Sequence, residues 1–462
     1  MLVYTVKEIA GATGGILLQG DPSAVVRGVC TDSRKAGSGD LFAALKGQQM
    51  DGHLFIGQAL EKGAGALLVS RVPDVVPEGV PVVQVQDTLQ ALQQLARYNR
   101  EQLNIPVVAV TGSNGKTSTK DMVAAVLQVR WNTLKTQGNF NNELGLPLTL
   151  LNLTEKHQAA VVEMGMRGPG EIDFLAGLAK PTGAVITNIG ETHLERLGSV
   201  HNIALAKGEV LEHIPQDGFA LLNGDSPYVN ELAVRCQGQV WTYSLQGPAD
   251  LRAENIRSEG AGVRYKVTYP GGQGEIFLPV PGSHNVMNSL GALGVGLRLG
   301  LTFEEIAAGL AQVTLTHMRL EIIQAQDFMV INDAYNANPS SMEAALRVLA
   351  ETARGRKIAV LGNMYELGKR TESGHRDTGK AAREAGVQKL VAVGDLARFI
   401  AKGALEAGMP EKDVFHCEHN AGAIEVLGSL LKAGDTVLVK GSRGMRMEEI
   451  VQALLNPGVS LN

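Results

Sequence analysis

The chain has 462 residues, a net charge of −5, 44% hydrophobic residues and only 4% aromatic ones. This length exceeds one ordinary core and predicts about three domains at ~150 residues each, while the lack of any Lys/Arg block argues against a nucleic-acid partner. Cys30, Cys236 and Cys417 stand far apart without CxxC spacing, which speaks against a disulfide framework or a zinc site; with no signal-peptide pattern and no apolar run of about 18 residues, a cytoplasmic chain without membrane insertion is expected.

Residues 1–84 read as a first unit of short strands and helices around the polar, glycine-rich stretch 31–40. Residues 87–104 read as a helix with Leu89, Leu92, Leu95 and Ala96 on one face, linking that unit to the next. An apolar strand over 105–110 then runs into Thr111-Gly112-Ser113-Asn114-Gly115-Lys116-Thr117-Ser118, with a helix predicted from about Thr117. Backbone N–H groups in such a turn cradle phosphate oxygens, and the helix N-terminus adds its positive dipole end. Lys116 supplies a cation for the outer phosphates and Thr117 a hydroxyl suited to Mg²⁺. Where an ordinary nucleotide loop carries its first glycine, this chain has Val110; the glycine falls at Gly112 and the turn is tighter.

Further apolar runs at 159–162, 184–187 and 219–222 alternate with helical patterns. That alternation predicts a mostly parallel sheet covered on both faces, with ligands beyond the C-terminal strand ends. Glu163, Asn188, His193, Asn223 and Asp225 stand at such ends. Glu163 is either a metal-holding carboxylate or a salt-bridged structural one, and His193 either a site residue or a structural histidine. Lys207, in a helical stretch, reads as a solvated lysine, a phosphate cation, or an amine that has captured CO₂ as a carbamate. Irregular β structure is expected over 240–280. Gly282-Ser-His284-Asn285-Val-Met-Asn288 opens a helix and either caps it or reads a base edge.

The third block, 316–462, has strands predicted at 328–331, 358–361, 390–393 and 436–439, a Rossmann-like order without GxGxxG, so dinucleotide binding is not supported. Arg319 could neutralise a transferring phosphoryl group, and Asp333, directly after a strand, could bind a ribose diol.

Taken together, these residues resemble the Mur ligases of peptidoglycan synthesis along the whole chain. The shortened loop at 111–117 is similar to that family's phosphate loop. Thr31-Asp-Ser33-Arg34, Gly39-Asp-Leu-Phe42 and Asp51-Gly-His53 resemble its uridine-nucleotide-binding domain. Residues 136–147, with Asn139, Asn141 and Asn142, resemble the segment that contacts the muramoyl substrate. Residues 333–341 and 440–448 resemble the branch that adds D-alanyl-D-alanine, and the Asp-Asn-Pro-Arg motif of the diaminopimelate-adding branch is absent. Asn363 departs from the family, which often has Asp there.

The resemblance implies an α/β, three-domain Mur ligase architecture: 1–84 binding the UDP-substrate, 85–315 a central P-loop parallel sheet (85–104 its linking helix), and 316–462 a C-terminal Rossmann-like sheet binding the incoming dipeptide. It implies ATP-dependent joining of D-alanyl-D-alanine to UDP-N-acetylmuramoyl-tripeptide through an acyl phosphate, by a monomer. Lys116, Glu163, His193, Lys207 and Arg319 would be catalytic, with two Mg²⁺ ions on Thr117, Glu163, His193 and a carbamylated Lys207. Gly112 to Ser118, His284, Asn285, Asn288, Arg319 and Asp333 would bind ATP. Ser33, Arg34, Phe42, Asn139, Asn141, Asn142, Tyr335, Asn336, Lys440, Ser442 and Arg443 would bind the substrates. A family member with another acceptor, or an NTPase switch, are the alternatives.

Overall fold

The computed structural model describes residues 1–456 apart from 48, 73–75 and 326, so the chain end at 457–462 lies outside the described residues. The first 84 residues build a five-stranded sheet in the order Ile16–Gln19, Val82–Gln84, Ala66–Val69, Asp40–Ala43, Gly28–Cys30, antiparallel only at its first pair. The helix Thr88–Glu101 follows. Asp87 caps it by accepting from the N–H groups of Leu89 and Gln90, and Leu92, Leu95 and Ala96 are buried along one face.

The central sheet has nine strands. Thr133–Lys135, Ala159–Glu163, Val107–Thr111, Gly183–Ile186, Phe219–Asn223, Gln239–Ser244 and Leu251–Glu259 run parallel. Val107 and Ala109 pack into one core with Ala160 and Val162, while Val108 and Val110 pack into another with Ala159 and Val161. Both faces are covered, which is why these strands are apolar without interruption. Residues 240–280 are not irregular, as the sequence suggested. Gly262–Tyr269 and Gly272–Leu278 continue the sheet as antiparallel hairpin strands. Val263, Tyr265 and Val267 point inward there, and the charged residues between them mask the strand in an apolar-run reading.

The third sheet orders Glu321–Gln324, Met329–Asp333, Thr436–Lys440, Lys357–Gly362, Lys389–Val393 and Val414–Cys417, parallel except at its first pair. The two outermost strands, Glu321–Gln324 and Val414–Cys417, went unrecognised in the sequence because edge strands bury little. Strand ends of the central and third sheets, at Glu163 and at Asp333 and Lys440, border one cavity of about 960 Å³.

Asn99 ties the first two units together. Its Oδ1 accepts from Leu2 N–H and the Tyr4 hydroxyl, and its Nδ2 donates to the carbonyls of Leu150 and Leu153. Asn99→Leu would leave these buried groups unpaired and should lower stability by on the order of 3 kcal/mol; an unchanged denaturant midpoint in urea unfolding would contradict this.

Candidate active site

Gly112 and Gly115 occupy backbone conformations with φ of 145° and 79°. A Cβ on Gly112 would overlap the Thr187 hydroxyl, and one on Gly115 would meet the Asn288 amide. Glycine is therefore required where the loop presses against 187–190 and against the helix Ser283–Arg298. The segment 187–190 supports the loop: Ser113 N–H donates to Asn188 O (2.9 Å), Asn114 N–H to Asn188 Oδ1 (2.7 Å), and Gly190 N–H to Ser113 Oγ (2.9 Å). The helix Lys116–Gln128 starts at Gly115 with no side-chain cap. Its first N–H groups are left for an anion. Lys116 folds back, its Nζ donating to the carbonyls of Gly112 (2.9 Å) and Ser113 (3.3 Å).

Glu163 ends its strand 2% exposed. Its Oε1 accepts from Asn141 Nδ2 at 2.7 Å, while Oε2 is buried without a partner. A buried carboxylate oxygen left free on the wall that also carries the Thr117 hydroxyl fits a divalent cation. Among the described residues no three His, Cys, Asp or Glu side chains converge as a metal cluster. Any ion here would complete its shell with phosphate oxygens and water, in the manner of Mg²⁺.

Lys116 and Lys207 lie close enough for one to act on the other's pKa. Burial lowers the Lys116 pKa, opposed by Glu163. Burial, aided by Lys116, drives that of Lys207 well below the usual lysine value. Lys207 is 1% exposed, not the solvated lysine that helical periodicity favours. His193 Nδ1 donates to Glu366 Oε2 at 2.6 Å. Burial, with Lys207 and Lys116, still holds the ring below the ordinary histidine pKa, so the imidazole is neutral and available as a ligand through Nε2.

The third domain closes the far side. Arg319 Nη2 donates to the Thr117 hydroxyl at 3.2 Å, and its guanidinium lies over the Tyr335 ring, 4.0 Å from the centroid. Asn338 Nδ2 donates to Asn114 Oδ1 at 2.7 Å, and Asn114 Nδ2 to Ser340 Oγ at 2.9 Å. Arg370 Nη1 donates to Glu191 at 2.9 Å. Asn338, Glu366 and Arg370 escaped the sequence reading. Asn338 looked like a turn residue before proline, and nothing in the chain marks which loop faces another domain's loop.

Ser113 to Ser118, Asn139, Asn141, Asn142, Glu163, His193, His284, Asn288, Arg319, Asp333, Tyr335, Asn336, Lys440, Ser442 and Arg443 all line the cavity. Gly112 and Lys207 are not among its lining residues. Asn285 also lies outside it, contrary to the sequence reading: its Nδ2 donates to Pro281 O, so it fastens the helix start. Phe42, expected on the substrate, is 1% exposed in the first unit's core and offers a ligand no side-chain surface. Ser33 donates to Gln58, and Arg34 pairs with Asp32 at the exposed surface of that unit, away from this cavity. Asp333 lines the cavity and accepts from Lys440 Nζ on one oxygen and from Leu320 N–H on the other, so it also holds the wall in place. Lys440 is correspondingly committed to Asp333 and Asn336 O. Asn363 is a structural knot, donating to Asp395 and accepting from Ala397 N–H.

Three family models match the chain: the Mur ligase family catalytic domain over residues 25–100, the Mur ligase middle domain over 110–296, and the Mur ligase glutamate ligase domain over 318–443. The chain is 42% identical to the UDP-N-acetylmuramoyl-tripeptide–D-alanyl-D-alanine ligase of Bacillus subtilis, over 100% of both chains. It is 39% identical to the Escherichia coli protein of the same name, over 99% of this chain and 100% of that one. Among solved structures it is similar to MurF from Acinetobacter baumannii (TM-score 0.89, 34% identity, 98% and 99% of the two chains). It is also similar to the MurF ligase of Thermotoga maritima in complex with ADP (TM-score 0.81, 27% identity, 93% and 97%).

Burial brings the His284 pKa down from 6.5 to about 4. Between those values the unfolded chain binds the proton and the folded one does not, so this residue's contribution to stability is complete above pH 6.5 and is lost as pH falls toward 4. His284→Asn should flatten the decline of unfolding free energy over that window; parallel curves for the two proteins would contradict the placement.

Proposed function

The chain belongs to the Mur ligase family, and we propose that it joins D-alanyl-D-alanine to UDP-N-acetylmuramoyl-tripeptide while converting ATP to ADP and phosphate. The observation that carries this reading is Arg319 reaching from the third domain to Thr117 across a cavity in whose wall a buried oxygen of Glu163 has no partner. A carboxylate is a poor electrophile, and amide formation from it in water is unfavourable. In the proposed sequence a carboxylate oxygen of the tripeptide attacks the γ-phosphorus and ADP leaves, giving an acyl phosphate. The dipeptide's amine, having lost its proton, then attacks the acyl carbon, and phosphate leaves with the electron pair of the broken C–O bond.

The phosphoryl step needs positioning and charge neutralisation more than covalent help. The loop amides from Gly112 to Ser118 and Lys116 would bind the phosphates, and Arg319 would face the transferring group. His284 and Asn288 would line the nucleoside side. Asn139, Asn141 and Asn142 would hold the muramoyl substrate, with Asn141 also orienting Glu163. Tyr335, Asn336, Ser442 and Arg443 would face the dipeptide. Ser33 and Arg34 would meet the uridine nucleotide on the first domain. We take the domains as 1–84, 85–315 and 316–462, one ligand centred on each. Closure of the third domain would exclude the water that hydrolyses an acyl phosphate.

Bound magnesium would neutralise phosphate oxygens; Thr117 and Glu163 would hold one ion, and Glu163, His193 and a carbamylated Lys207 a second. The carbamate is supported by a buried lysine lacking a carboxylate partner among the described residues, whose amine is held toward the neutral form. The neutral nitrogen adds to CO₂ and releases one proton, placing an anionic oxygen where a bare ammonium would repel the cation.

ADP release should require both UDP-N-acetylmuramoyl-tripeptide and D-alanyl-D-alanine; steady turnover with neither would favour an ATPase switch instead. Lys116→Ala should lower the rate on the order of 100-fold or more with the fold intact by circular dichroism, and wild-type turnover would remove the loop from the mechanism. Lys207→Ala should be partly restored by formate or acetate. Failure of rescue, together with the absence of one CO₂ of extra mass on the native protein, would dismiss the carbamate.

A further inference from the structure

Asp121 lies one turn beyond Thr117 on the phosphate-loop helix and does not line the cavity. Its side chain is completely buried, yet it is an acid facing two lysines. It accepts from Lys135 Nζ at 2.7 Å and sits 3.3 Å from Lys120 Nζ. Its other oxygen accepts both the N–H (2.9 Å) and the hydroxyl (2.7 Å) of Thr316. Lys120 in turn donates to Thr136 O at 3.0 Å, at the start of the 136–147 segment that carries Asn139, Asn141 and Asn142. A buried cluster of this kind is weak support for stability, since apolar packing serves as well. What distinguishes it is where its hydrogen bonds lead.

Thr316 begins the strap that crosses from the central domain into the third, three residues before Arg319. Met318 and Leu320, on either side of Arg319, have φ of 62° and 51°. Such left-handed residues other than glycine persist only where their surroundings over-determine them. The strap is fastened on both sides: Thr316 to Asp121, Met318 N–H to Glu321 at 3.1 Å, and Leu320 N–H to Asp333 Oδ1 at 3.2 Å. The Asp121 end belongs to the same helix that carries Thr117, the group Arg319 touches.

We propose that Asp121 is a positioning residue for Arg319: by gripping Thr316 it ties the interdomain strap to the phosphate-loop helix, and through Lys120 and Lys135 it sets the muramoyl-contact segment on that same helix. This rests on the reading of Arg319 as the group that faces the transferring phosphoryl. Burial alone would raise the Asp121 pKa, but Lys120, Lys135 and Thr316 outweigh it, and the carboxyl is held below its ordinary range and stays ionised.

The test is a double-mutant cycle on single-turnover ADP formation by the full chain with both substrates. Asp121→Asn should slow the step about 10- to 100-fold, as misplacement of a catalytic group does, with the ATP concentration dependence within about twofold of native. Thr316→Val, which removes one donor and leaves the lysine pairs, should slow it about threefold to tenfold, and it carries the same test where Asp121→Asn does not fold. In an Arg319→Ala background Thr316→Val should not slow the step further, and Asp121→Asn should slow it by a smaller factor than in the native protein, the remainder acting through the muramoyl-contact segment. Equal fold-losses with and without Arg319 would overturn the positioning role and leave the Arg319 reading standing. A native rate in Arg319→Ala alone would overturn that reading, and the proposal with it. A native rate in Thr316→Val would overturn the grip on the strap.

Discussion

The constraint on which the site depends is the crowding of cations at the phosphate loop. Lys116 and Lys207 are drawn out of water, Lys116 lowers the proton affinity of Lys207, and Arg319, brought over the same loop, lowers that of Lys116. Glu163 is the carboxylate that opposes Lys116, and one of its oxygens is unsatisfied. Each desolvated ion costs several kcal/mol unless its partners are close and well oriented. Nucleotide phosphates and a substrate carboxylate would be well-matched partners for these cations. Cations so placed favour a polyanion and the charge that builds on a transferring phosphoryl group.

Closure follows from this. The third domain does not pack on the loop through an apolar face. It arrives through polar pairs: Asn338 with Asn114, Arg370 with Glu191, Glu366 with His193. Contacts of this kind are modest individually and demanding in geometry, so they define one arrangement while costing little to break. Asp333 and Lys440 are joined in that wall, and the acid braces the strap at Leu320.

The phosphate loop and the parallel core were legible because each has a local signature: glycines where the backbone must turn tightly, and uninterrupted apolar runs where both sheet faces are covered. The hairpin strands over 251–278 were not, since one face is wet and alternation with Arg and Lys breaks the run. Within the site, strand-end residues such as Glu163 and Asp333 could be located from the strands alone. Roles that depend on a partner far along the chain could not. Phe42 and Asn285 sit beside functional residues in sequence yet point into a core and at a carbonyl, and side-chain direction across a loop has no period to betray it. His193 and Glu366 are joined only by domain packing.

The central claim is that this cavity activates a carboxylate by moving a phosphoryl group onto it. The most direct measurement uses UDP-N-acetylmuramoyl-tripeptide labelled with ¹⁸O in the reacting carboxyl group, with ATP and D-alanyl-D-alanine in unlabelled water, and reads the released phosphate by mass spectrometry. The account predicts one ¹⁸O in each phosphate, carried over when the acyl–oxygen bond breaks. Phosphate that contains oxygen from water in place of the label would mean that ATP is hydrolysed without passing through the acid, and would contradict it.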